Sequence, residues 1–281
     1  MSGTMIQIAL VVWRESIEAL LVIGVLHAWL QRQPAEARRR GQGWLRAGIV
    51  AGFLAALLIA CVILFVGEWL DGDRQDYFQA TMVLVAAALI LQMVHWMRRQ
   101  GPGARRALEG RASRALSAAS GWGLLLIPAI AIAREGSETT IFLYGILVSS
   151  GRGIDLPAVV AAGLGFAAAI GLYVALQFGA RALSWKAFFR FSEAMLLILA
   201  GSLLMNGLDR LISLDLLSPL SQPLWDTSWL LDDARGVGGL LATLAGYRAR
   251  PELLPVLVFG GYWFVVSLLG SWMPRKTAAV S

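Results

Sequence analysis

The chain has 281 residues, of which 58% are hydrophobic and only 15% charged, with a mean hydropathy of +0.67. Soluble globular domains carry roughly a quarter of their residues as charges, so that class is excluded and an all-α polytopic membrane protein is indicated. The net charge of +6 and the pI near 10.1 do not imply nucleic acid as a partner, because the basic residues sit between apolar stretches, where positive-inside bias puts them.

Seven transmembrane helices are predicted at roughly 5–30, 44–67, 77–97, 121–149, 156–179, 189–211 and 252–273. About 20 residues at 1.5 Å each are enough to cross a hydrocarbon core. The whole chain, 1–281, reads as one transmembrane domain. Span one has no basic n-region or small-residue cleavage site ahead of Arg14 and Glu15, so it is expected to be a true span and not a removable signal. It holds the run Arg14-Glu15-Ser16-Ile17-Glu18, and His27 lies near its inner end.

Span two contains Gly52-Phe53-x-Ala55-Ala56 and the single cysteine, Cys61. One cysteine excludes an intrachain disulfide framework and a Cys-rich metal site. Between spans two and three, Glu68, Asp71, Asp73 and Asp76 form an acidic cluster that could steer cations to an outer mouth. Span three closes with Gln92-Met-Val-His95-Trp-Met-Arg-Arg99. A lone histidine at such a place, His95 or His27, is read as an interfacial group and not a ligand.

Span four carries Pro128 and then Arg134-Glu135-Gly136-Ser137-Glu138. A bent helix is expected there, the alternative being a break that turns backbone oxygens inward. Span five contains Gly165-Phe166-x-Ala168-Ala169. Span six has Glu193 near its inner end, beside Lys186 and Arg190, and Asn206, Asp209 and Arg210 as capping candidates at the other. The connection 212–251 is long and holds a Gly-rich run at 236–246, read as a short external helix or re-entrant piece. Trp44, Trp69, Trp96, Trp225, Trp229, Trp263 and Trp272 fit interface anchoring in membrane lipid.

Sixteen Lys and Arg residues fall in the odd-numbered connections and the tail, against six in the even ones. This bias places the N-terminus outside and the C-terminus in the cytoplasm. Spans one and four then run in opposite directions, and each bears Arg-Glu-x-x-Glu. The expected plan is an inverted repeat of three helices plus one: repeat one at about 5–97, repeat two at about 121–211, an external loop at 212–251, and a last helix. Counting along each helix, Ser16 lies about 17 Å from one surface and Gly136 about 22 Å from the other. Both motifs therefore sit near mid-membrane.

A charge at that depth costs at least about 2.5–3.5 kcal/mol, so six facing lipid would cost roughly 15–20 kcal/mol. They must face one another or a wet cavity. Glu15 and Glu18 share a helix face, Arg14 can pair with Glu18 four residues on, and the same holds for Arg134, Glu135 and Glu138. Four carboxylates and two guanidiniums suit a cation that prefers hard oxygen ligands, with Ser16, Ser137, Thr139 and Thr140 as neutral oxygens nearby. The arginines limit the negative charge of the empty site and loosen its hold on the ion. The competing reading, buried ion pairs that only fix helix register, is disfavoured by the duplication at matched depth.

With this paired motif in spans one and four, the chain resembles the oxidase-dependent iron permease family over nearly its whole length. The end of span three (92–99) and the stretch 239–251, with Gly246-Tyr247 ahead of Pro251, are similar to the same parts of that family. The resemblance implies a bacterial-type inner-membrane permease that imports oxidised, ferric iron with high affinity. Glu15, Glu18, Glu135 and Glu138 would bind the passing ion and Arg14 and Arg134 would complete the motifs. It further implies a separate iron-oxidising or periplasmic iron-binding partner. No cofactor is expected to be bound permanently, iron being cargo. Glu193 has no place in the shared pattern: it is either a further carboxylate on the exit route or, as favoured, an inner-edge group. Two other readings stay open: a permease for another metal cation such as Mn or Pb, and a membrane-embedded di-metal carboxylate oxidoreductase. Helical sites of the latter kind use Glu-x-x-His pairs, which this sequence lacks.

Overall fold

The computed structural model describes residues 3–100, 108–110, 112–114, 122–177 and 185–271, and among these every regular element is helical. In chain order they are α1 (Gly3–Gln31), α2 (Ala35–Trp69), α3 (Asp73–Gln100), α4 (Trp122–Ser149), α5 (Leu156–Gln177), α6 (Trp185–Ser213), α7 (Gly236–Ala245) and α8 (Leu253–Ser271). Two short helical pieces, 108–110 and 112–114, lie between α3 and α4.

Four of these helices are long and apolar enough to cross a membrane: α2, the 73–97 part of α3, the 156–175 part of α5 and the 190–213 part of α6. α1 and α4 match them in length, at 29 and 28 residues. Each, however, carries an arginine and two glutamates at its middle. α2 begins nine residues before the expected start of span two. Pro34 immediately precedes it with φ −53°, a backbone angle already suited to a helix start. Arg38, Arg39 and Arg40, expected in a loop, are therefore exposed on a helical extension. α4 runs unbroken through the buried Pro128, so the break considered from sequence does not occur.

α2 packs along α4, α5 along α1, and α3 along α6, while α1 and α4 meet at the centre. Lipid offers no hydrophobic drive for helices to associate, so close contact relies on small residues. A Cβ on Gly52 would lie 3.0 Å from the Ala129 Cα and would press on the Ala129 carbonyl. A Cβ on Gly165 would lie 3.1 Å from the Ala9 Cα and collide with the Ala9 carbonyl. Ala129 stands six residues before Glu135, and Ala9 six residues before Glu15. The two crossings thus have the same register relative to the motifs. Gly136 extends the first of them, since a Cβ there would run into Ala56.

The outward face of α2 presents Phe53, Leu54, Leu57, Leu58, Val62 and Phe65, as a lipid-facing helix should. The main core is built from Ile8, Val11, Val83, Ile90, Phe142 and Leu203. A second cluster, Leu26, Leu30, Leu45, Ala112 and Leu124, closes the opposite end of α1.

The connection after α6 is a folded cap. α7 lies over the first turns of α1, where Gln7 Nε2 donates to the Thr243 carbonyl at 2.5 Å. Ser202 of α6 donates to the same oxygen. Gly246 ends α7 at φ +74°, a left-handed turn that glycine adopts freely. Arg248 then reaches Asp209 (Nε to Oδ2, 2.9 Å) and Asn206 (2.7 Å). Those two residues hold the cap and do not cap α6 itself. In the same loop, two hydrogen bonds from Ser228 and a pairing with Arg250 pull the exposed Asp226 carboxyl down to about 2.

The glycine crossings yield a contrast. Gly165→Ala should lower the unfolding free energy by about 1–3 kcal/mol, the usual cost of overpacking against an unyielding neighbour. Gly163→Ala, with nothing within 4 Å of its added methyl, should be silent. Thermal unfolding of the detergent-solubilised protein measures both.

Candidate metal site

Helical periodicity places Glu15 and Glu18 on the α1 face that meets α4, and Glu135 and Glu138 on the α4 face that meets α1. Glu15, Glu18 and Glu135 each bring a carboxylate oxygen within 4.8 Å of the other two. Glu138 is buried one helical turn further on, and its Oε1 accepts from Arg134 Nε at 2.8 Å. The four glutamates read from sequence are therefore at the α1–α4 contact, three of them converging.

The two arginines differ. Arg14 and Glu15 are each only 1% exposed. Arg14 Nη1 donates to Glu15 Oε1 at 2.6 Å and Nη2 to Glu18 Oε1 at 2.5 Å. The same two nitrogens also lie against sulfur, Nη1 against Met93 Sδ and Nη2 against Met97 Sδ. Arg134 keeps 40% of its side chain exposed, and its guanidinium sits 5.0 Å from the centre of the Trp96 ring, in range for a cation–π contact. One turn of α3 therefore touches both motif arginines.

Glu15, Glu135 and Glu138 each leave Oε2 buried with no hydrogen-bond donor. A buried carboxylate oxygen without a partner is costly, and three of them around one junction form a set of hard ligands with free lone pairs. Such a set offers oxygen ligands of the kind a hard cation takes.

The neutral oxygens expected to assist do other work. Ser137, Thr139 and Thr140 donate back to the carbonyls of Arg134, Glu135 and Gly136 at 2.8, 2.7 and 2.8 Å, the usual behaviour of such residues inside a helix. Ser16 is half-buried beside Glu15. Glu193, half-buried near the start of α6, and the exposed Asp71 and Asp73 of the α2–α3 turn stand apart from the converging carboxylates. His27 is exposed and pairs with Gln31 at 3.2 Å. Sequence reasoning missed Met93, Met97, Trp96 and Arg248 as contact residues. The first two sit four apart, a same-face signal, but methionine in an apolar helix gives no hint of a charge beside it.

A junction of buried, partly unpartnered carboxylates between apolar helices is chemistry that suits a cation permease. Comparison with known proteins agrees: the family model described as Iron permease FTR1 family matches residues 5–275, and the chain belongs to that family. It is similar to the protein named Ferrous iron permease EfeU of Yersinia pestis, 27% identical over 274 residues, covering 96% of this chain and 94% of the relative. The proteins of that name from Shigella sonnei and Escherichia coli O157:H7 are 26% identical over 277 residues, covering 97% of both chains. No solved structure matches the chain at a significant level. The chain is thus an iron-transport permease of the membrane, a transporter and not an enzyme.

The unequal burial of the two arginines makes them separable. Arg14→Leu should destabilise the ion-free protein by about 3–5 kcal/mol, since it strands the buried Glu15 and the half-buried Glu18. Arg134→Leu takes the Nε donor from the buried Glu138 and should cost less, about 1–3 kcal/mol, because the arginine itself is 40% exposed. Chemical unfolding in mixed micelles checks the difference.

Proposed function

We propose that the chain imports iron through the junction of Glu15, Glu18, Glu135 and Glu138, with Arg14 and Arg134 as tethered cations that balance the empty site. The observation that carries this reading is the convergence of Glu15, Glu18 and Glu135 from two helices, with the Oε2 atoms of Glu15, Glu135 and Glu138 buried and unpartnered. The proposed frame is seven spans, with α1 and α4 counted as spans despite their charges, α8 as the last, and the N-terminus outside. It includes an inverted repeat of α1–α3 and α4–α6. The matched crossings of Gly52 on Ala129 and Gly165 on Ala9 support that repeat.

For the cargo, an all-carboxylate junction suits hard ferric iron, delivered by a separate oxidase or periplasmic iron-binding protein as the family resemblance implies. A second reading, ferrous iron, is favoured by the name of the relatives and by the two thioethers that reach Arg14. Manganese and other hard divalent ions are the alternatives among cargoes.

The deciding experiment is radio-iron uptake by iron-starved cells at matched membrane levels of protein, with and without ascorbate to hold the iron reduced. Glu15→Gln, Glu18→Gln, Glu135→Gln and Glu138→Gln should each abolish uptake. Wild-type rates in all four would show that the motifs are structural. Uptake that survives only without ascorbate selects ferric iron, and uptake that persists with it selects ferrous.

A further inference from the structure

The contacts of the Arg14 guanidinium describe a second coordination site overlapping the first. Its two terminal nitrogens donate to four acceptors: Glu15 Oε1 and Met93 Sδ from one, Glu18 Oε1 and Met97 Sδ from the other. Two oxygens and two sulfurs thus surround one buried positive charge. For an arginine alone this is a poor nest. A thioether is a weak acceptor, and Arg14 Nε has no acceptor at all, although the residue is fully buried. Oxygen side chains at 93 and 97 would hold a guanidinium better. What sulfur does well is bind a polarisable metal ion, and thioether ligands favour softer cations over Mg²⁺, Ca²⁺ or Mn²⁺. The methionines come from successive turns of one helix face, and their flexible side chains can follow an ion of changing position.

We propose that Glu15, Glu18, Met93 and Met97 form a two-oxygen, two-sulfur seat for ferrous iron, which the Arg14 guanidinium fills until the ion displaces it. This rests on the iron-import reading in its ferrous form. The seat shares Glu15 and Glu18 with the all-oxygen junction, so an ion passing from one to the other exchanges two sulfurs for carboxylate oxygens of α4. A hard divalent ion finds no gain at the first of these positions, and the seat therefore acts as the selective step.

The test uses the full-length protein in liposomes, with iron kept ferrous by ascorbate. The exposed Cys61 is replaced in all samples by Cys61→Ser, so that no thiol competes for soft ions. Met93→Leu and Met97→Leu keep the volume and remove the sulfur. The double variant should raise the iron concentration for half-maximal uptake roughly tenfold, the scale expected when a metal site loses supporting groups. It should also relieve inhibition by Ag⁺ and leave inhibition by Mn²⁺ unchanged. Unaltered iron uptake and Ag⁺ inhibition in the double variant would overturn the seat, and so would a parallel loss of response to Ag⁺ and Mn²⁺. Glu15→Gln in the same liposomes separates the two readings: uptake that survives it refutes the carboxylate path itself, whereas uptake lost there but indifferent to the methionines refutes the sulfur seat alone.

Discussion

A buried guanidinium at mid-helix, paired with one buried and one half-buried carboxylate, forms the constraint around which the bundle is arranged. Charges at that depth are tolerated only when they meet one another, so α1 cannot face lipid on the side of Arg14, Glu15 and Glu18, nor α4 on the side of Glu135 and Glu138. The remaining helices then have fixed duties. α2 and α5 cover the flanks through glycine crossings, and α3 supplies Met93, Met97 and Trp96 as the wall on which both arginines rest. Burial is complete for Arg14 and partial for Arg134, so the two motifs, alike in sequence, are unequal in environment.

That inequality bears on how an ion could be admitted and released. The α1 motif has its charges neutralised by close pairs, while the α4 motif keeps its arginine half-open and two of its carboxylate oxygens unpartnered. A cation therefore meets the greater unspent negative charge on α4 and the greater competition on α1. Over the start of α1, α7 and the clamp of Arg248 on Asp209 and Asn206 cover the bundle. The connection between α6 and α8 is in this way a structural lid and more than a tether.

Much of this was legible before any coordinates. Six charges inside apolar runs cannot be hidden by composition, and their spacing of three and four residues dictates a shared face. The convergence of Glu15, Glu18 and Glu135 follows from that arithmetic. α2 starts ahead of span two because hydropathy registers where lipid begins and not where a helix begins; Pro34 marks the helix start. α1 and α4 stand apart from the four long apolar helices because each carries an arginine and two glutamates at its middle. Met93 and Met97 were illegible for a different reason. A thioether looks like any apolar side chain until its neighbour is known. Asn206 and Asp209 look like helix caps for the same want of a partner, which Arg248 supplies from about forty residues away.

The crossings of Gly165 on Ala9 and Gly52 on Ala129 interlock the two halves of the chain. The second helix of each half rests on the first helix of the other, backbone against backbone. During synthesis α1 leaves the ribosome more than a hundred residues ahead of the helix against which it finally lies, and its charged face has no α4 to meet until then. The pairing of Arg14 with Glu15 and Glu18 lies within α1 itself, so it can form as soon as that helix does. An arginine on the same helix as its glutamates thus offsets their charge from within α1, with no contact from α4 needed.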